Sequence, residues 1–199
     1  MSKISDQGHG GNDNDSGVSG AVPQAHREGR GPAIWLAGDP ADLVEWMPLG
    51  VAGIVTNTVV LNQMVKKYGH IKNVTQMYLD ITDKPVVIEI DGSSKEELLR
   101  TAGFFYNMSD KIIIKVPCTT DSLGVFNALD RLGVKTYCTT VFSLPQAAAV
   151  AQAGATHILP FCEPVREAGG DPTKLIRECV QMFIGWSCLL YTSDAADDT

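Results

Sequence analysis

The chain has 199 residues, 44% of them apolar and 20% charged, with a formal net charge of −7. That length suits one domain with a substantial core, and that composition is ordinary for a globular protein. The acid excess argues against a nucleic-acid surface, which needs a basic face to meet phosphates, and no apolar run reaches the roughly 20 residues of a membrane helix.

Residues 1–31 are rich in Gly, Ser, Asn and Asp and hold almost nothing to bury. They read as a disordered leader, and they lack the apolar centre of a secretory signal. Order is expected from "PAIWLAGDP" onward, over residues 32–184, beginning with apolar strands at 33–37 and 52–56. A helical pattern over 58–80, broken near Tyr68–Gly69, leads to a strand at 85–91. "SSKEELLRTAGFFYNM" then opens on serine with an acid three residues later, a capping box. The strand at 111–117 is followed by "TTDSLGVFNALDRLG", which starts on Thr/Asp and stops on Gly133. After the strand at 135–141, "SLPQAAAVAQAG" runs from Ser143 to Gly154. A last strand at 156–161 precedes "DPTKLIRECVQMF", with proline in its first turn. The closing residues, 185–199, lose the amphipathic period and read as a tail foreign to the domain, so a native chain is expected to carry two further strands.

Most of these strands are near-continuous in apolar residues, the pattern of strands covered on both faces. Their alternation with helices specifies a parallel sheet with right-handed crossovers. A six-stranded open sheet and a partial barrel both satisfy it. No GxGxxG or GxxxxGK[ST] follows any strand, which weakens the nucleotide-binding open sheet. Single polar residues instead close several strands: Asn57, Glu89, Lys115 and Thr139. Barrels assemble active sites in that way. The expected fold is therefore α/β, a (β/α)8 TIM barrel with about six of its eight strands in this chain. The five cysteines (Cys118, Cys138, Cys162, Cys179, Cys188) form no CxxC pair and have no histidine at ligand spacing. They read as reduced thiols of a cytoplasmic protein, with neither metal nor cofactor expected.

Lys115 raises the chemical question. Alternation in "KIIIKVP" puts Lys111, Ile113 and Lys115 on one face and Ile112, Ile114 and Val116 on the other. If the second face meets the helices, Lys115 points into the barrel. Burial disfavours an ammonium ion, and a neutral amine attacks carbonyls to form a Schiff base. The competing reading is a strand end snorkelling to water. Glu89, inside "VVIEID", can shuttle protons for such a lysine through a water, or serve as a cap or salt-bridge carboxylate. Thr139 and Asn57 can hold water and substrate, or act as ordinary turn residues.

"GIVTN", "VVIEID", "IIIKVPCTTDSLGVFNALDRLGVKT", "TTVFSLPQAAAVAQAGATHILPF" and "GGDPTKLI", in this order over about residues 33–183, resemble the transaldolase and fructose-6-phosphate aldolase family. The resemblance implies a metal-free class I aldolase on an (α/β)8 barrel. Lys115 matches the Schiff-base lysine of the fourth strand, and Asn57 in "VTN", with Thr56 before it, matches the substrate-holding segment of the second. Glu89 and Thr139 match the pair that holds a catalytic water in transaldolases. Fructose-6-phosphate aldolases more usually carry glutamine and tyrosine where this chain has Glu89 and Phe161, which tilts the resemblance toward transaldolases and makes Phe161 a substrate-lining residue. The implied partner is a sugar phosphate, and the resemblance admits a homo-oligomer.

Departures from the pattern are specific. Ala37 stands where the family has an aspartate that accepts the C4-hydroxyl proton, and Asp39 is the candidate substitute base. "TNT" replaces "TNP" at Thr58. Pro164 stands where an arginine meets the substrate phosphate, with Arg166 two residues on as its substitute. The expected reaction is transfer or cleavage of a three-carbon dihydroxyacetone unit from a ketose phosphate. The alternatives are a Schiff-base aldolase for another carbonyl substrate, or a barrel relative or fragment without catalysis.

Overall fold

A computed structural model describes residues 33–184 and the backbone of Leu189–Leu190, so the expected leader and nearly all of the expected tail lie outside the described residues. Seven strands form one sheet: β1 (Trp35–Leu36), β2 (Gly53–Val55), β3 (Val86–Glu89), β4 (Ile112–Pro117), β5 (Thr136–Val141), β6 (His157–Pro160) and β7 (Leu189–Leu190). Each is parallel to the next, and the strand order is the chain order. A doubly wound sheet reverses its order at a switch point, so this topology is that of a barrel wall. Among the described residues β1 and β7 do not pair. Among the described residues the fold is thus an open arc of barrel, with a short seventh strand beyond the six expected and without closure.

The arc is strongly curled. Four inter-strand steps of about 4.8 Å would hold β1 and β5 some 19 Å apart in a flat sheet. Yet the rings of Trp35 on β1 and Tyr137 on β5 meet edge to face with centroids 5.8 Å apart. Alternation then divides the strands into two faces. Ile54, Val86, Ile88, Ile112, Ile114, Val116, Cys138 and Ile158 pack outward into the main core. Val87, Ile113, Tyr137 and Leu159 form a second, inner cluster, with Trp35 and Val55 against it.

Most of the helices that cover the outer face begin on side-chain caps. The helices are α1 (Pro40–Leu43), α2 (Thr58–Tyr68), α3 (Ile71–Asp80), α4 (Lys95–Tyr106), α5 (Thr120–Arg131), α6 (Leu144–Gln152), α7 (Cys162–Glu167) and α8 (Pro172–Phe183). Asn57, Ser94, Thr119, Ser143 and Asp171 each accept an N–H of the first turn that has no partner within the helix. The capping box expected at α4 is modified. Ser94 caps the helix, but Glu97 reaches back to Ser93 N–H and Oγ, whereas the reciprocal box stands at Thr119 and Ser122 of α5. Gly133 and Gly154 terminate α5 and α6 at φ 70° and 104°, the left-handed region where only glycine is unstrained. At Gly154 a Cβ would also lie 2.7 Å from the Asp130 Cβ.

Candidate active site

The inner cluster sets the geometry of the site. Trp35, Val55, Val87, Ile113, Tyr137 and Leu159, one from each of β1–β6, form its floor. Two residues further along each strand, with the same side-chain parity, stand Ala37, Asn57, Glu89, Lys115, Thr139 and Phe161. The polar positions picked from the sequence therefore fall in a single rank at the C-terminal ends of the strands.

Lys115 and Glu89 are register partners on β4 and β3, and Nζ lies 3.0 Å from Oε2. Their side chains are only 9% and 11% exposed, so the pair is nearly desolvated. For Lys115, burial and a carboxylate partner fit an inward amine and not a solvent-seeking strand end. By contrast Lys111, at the other end of β4, donates to the carbonyls of Leu79 and Thr82 at the end of α3 and serves the helix, not the site.

Thr139 is 1% exposed, and its hydroxyl finds no hydrogen-bond partner among the described residues. A buried hydroxyl left in that state is unfavourable by about 1–3 kcal/mol. The strand breaks just beyond it. Thr140 has φ 56°, a left-handed conformation that strains a β-branched residue, and the β5–β6 register shifts between Cys138 and Val141. The bulge returns Val141 to the outer core with Cys138. Thr140 Oγ1 donates to Thr139 O and accepts from Cys118 N–H, so the bulge ties the end of β5 to the turn that follows Lys115.

The remaining candidates divide. Asn57 Oδ1 caps α2 by accepting Val60 N–H at 2.7 Å. Thr56 is buried, and its hydroxyl donates to Val87 O and accepts Glu89 N–H, so it engages the backbone of β3. Phe161 precedes α7 without a side-chain capping hydrogen bond, and its ring meets the half-exposed Phe142 at 5.8 Å. Arg166 is exposed and paired with Glu163 one turn away on α7. Asp39 caps α1 through Ala41 N–H and accepts from Lys67 and Tyr68 of α2. Partial burial works against its charge, but the hydrogen bonds from Lys67, Tyr68 and Ala41 outweigh that and hold the carboxyl below its ordinary value. Ala37 itself is exposed. Among the described residues no cluster of three or more His, Cys, Asp or Glu could hold a metal ion.

Sequence reasoning missed the floor beside the lysine. Tyr137 is the register partner of Lys115, and His157 is that of Tyr137. The two rings stack at 4.3 Å and 29°. Burial, with the Lys135 charge adding to it, pushes the His157 imidazole down to about 4. The signal was present as parity in "KTYCTTV" and "THILPF", but register is needed to bring the two rings together.

Known proteins resemble this chain in sequence and in fold. The family model described as Transaldolase/Fructose-6-phosphate aldolase matches residues 55–188. A "Probable transaldolase" of Streptococcus equi subsp. zooepidemicus is 31% identical over 131 residues, 65% of this chain and 60% of that protein. One of Streptococcus pyogenes serotype M5 is 30% identical over 139 residues, 68% of this chain and 64% of that protein. The chain thus spans about three fifths of the length of these relatives. A crystal structure of 2,3-dimethylmalate lyase, a PEP mutase/isocitrate lyase superfamily member, is similar in fold, with a TM-score of 0.57 at 15% identity over 82% of this chain and 68% of that one. The inward lysine, its carboxylate partner and the extent of the sequence match lead to one conclusion: the chain belongs to the transaldolase/fructose-6-phosphate aldolase family.

Proposed function

We propose that this chain carries the Schiff-base half of a transaldolase-like reaction, with Lys115 as nucleophile toward a ketose phosphate. The observation that carries the reading is the 3.0 Å contact between Lys115 and Glu89 on the inner wall. The Glu89 carboxylate takes the ammonium proton, and the amine adds to the substrate carbonyl. Glu89 returns the proton to the carbinolamine hydroxyl, which leaves as water. As the C3–C4 bond breaks, its electrons pass into the iminium, the C4-hydroxyl proton leaves to the Glu89 carboxylate through a water, and the three-carbon enamine passes to an aldehyde or is hydrolysed. The Thr139 hydroxyl, without a protein partner among the described residues, supports a water held between it and Glu89. The test is release of an aldose phosphate from fructose 6-phosphate, with Lys115→Ala as control. Equal turnover by both proteins refutes the reading.

A second reading is favoured by Ala37 and Asp39. The first strand presents no carboxylate at Ala37, and the Asp39 carboxylate is taken up by Lys67 and Tyr68. A chain that forms the Schiff base without a base for the C4 hydroxyl acts on another carbonyl substrate. Ala37→Asp discriminates: a large gain in ketose cleavage supports a lapsed transaldolase, and no gain supports a different substrate.

A further inference from the structure

We infer that Thr56 is a positioning residue that sets Glu89 against Lys115, a role that rests on the Schiff-base reading above. β2 ends at Val55, and Asn57 already caps α2, so the regular ladder toward β3 stops after Thr56 N–H meets Val87 O at 2.9 Å. The next donor on β3, Glu89 N–H, is accepted instead by Thr56 Oγ1 at 3.2 Å, while that hydroxyl donates to Val87 O at 2.9 Å. On its other flank β3 is held by Ile90 N–H on Lys115 O at 2.9 Å. The backbone of Glu89 is thereby fixed between Thr56 on one side and Lys115 on the other. Thr56 shares the parity of Ile54, whose side chain lies in the helix-facing core, and it is 1% exposed. It therefore acts through Glu89 and does not touch a substrate on the inner face. Valine keeps the shape of threonine but leaves Glu89 N–H without its acceptor, whereas serine keeps the acceptor.

Carbodiimide cross-linking tests the geometry without any substrate. The reagent activates the Glu89 carboxyl, the Lys115 amine displaces the urea, and an amide forms with net loss of water, detected by peptide mass mapping. Thr56→Val is expected to lower this cross-link by about threefold or more while Thr56→Ser retains it. Thr56→Ala provides the same comparison, with melting curves recorded for all three. An unchanged cross-link in the valine and alanine variants overturns the inference. The kinetic counterpart is a double-mutant cycle on ketone-adduct formation. Thr56→Val should slow it about tenfold in the native background and leave Glu89→Gln unaffected. Equal slowing in both backgrounds also overturns it. Loss of the cross-link in a protein that forms no ketone adduct would uphold the positioning and remove the Schiff-base reading instead.

Discussion

Glu89 and Lys115 face each other across adjacent parallel strands, and their charged ends meet at 3.0 Å in a nearly water-free wall. Opposite charges in such a place attract strongly because little solvent screens them, and each loses hydration to be there. The arrangement keeps a proton donor and a proton acceptor in contact at one point of the barrel interior. Glu89→Gln preserves the shape and removes the acceptor. Adduct formation with dihydroxyacetone should slow by roughly 10²-fold, the usual loss when a positioned general base is neutralised. Stopped-flow or quenched borohydride trapping measures it, and a loss below about threefold would take Glu89 out of the proton transfer.

Thr139 separates stability from activity. Its hydroxyl is buried without a protein partner among the described residues, so replacing it with a methyl breaks no bond within the fold. Thr139→Val is therefore expected to melt at or above the temperature of the parent while turnover falls about tenfold or more. A variant that melts markedly lower would mean that the hydroxyl bonds another protein group and does more for the fold than hold a water.

The folded arc of six strands was legible from sequence because each strand is a short apolar run between capped helices. Thr119, Ser143, Asp171, Gly133 and Gly154 mark helix ends by local chemistry alone. Lys115, Glu89 and Thr139 were legible for a related reason: a polar residue at the C-terminal end of an apolar strand is conspicuous. What could not be read was register. Only the pairing of Glu89 with Lys115, and of Lys115 with Tyr137, turns separate candidates into a site. The engagement of Asp39 with Lys67 and Tyr68, residues 28 and 29 positions away, was likewise beyond any local pattern.

His157 gives the fold an acid limit. Its imidazole titrates near 6.5 when unfolded and is pushed down to about 4 in the fold by burial. The unfolded chain therefore binds the proton first as pH falls. Stability is full above about 6.5 and is lost progressively toward 4, by about 3 kcal/mol in total. His157→Phe keeps a ring on Tyr137 and removes the titration. Urea unfolding at pH 7.5 and pH 5 should show a smaller acid loss for the variant, and an equal loss in both proteins would assign the acid sensitivity to other groups.

Thiol labelling should find Cys118 first among the four described cysteines. The hydrogen bond from Cys138 holds its thiol below the ordinary value, and it is only partly buried. Cys138, Cys162 and Cys179 are buried, and burial, with Glu178 adding to it, pushes Cys179 up to about 11. Thiolate is the reacting form, so a maleimide at pH 7 should modify Cys118 faster than the other three. Peptide mapping that finds Cys179 modified first would contradict the packing of α8.

Lys115 is proposed as the amine that captures a carbonyl substrate. Borohydride reduction in the presence of dihydroxyacetone or fructose 6-phosphate converts a transient Schiff base into a stable secondary amine. Peptide mass mapping should then place the adduct on Lys115, and Lys115→Ala should show none. A chain that takes up no adduct at Lys115, or takes it up equally on exposed lysines such as Lys67 and Lys174, would contradict the account.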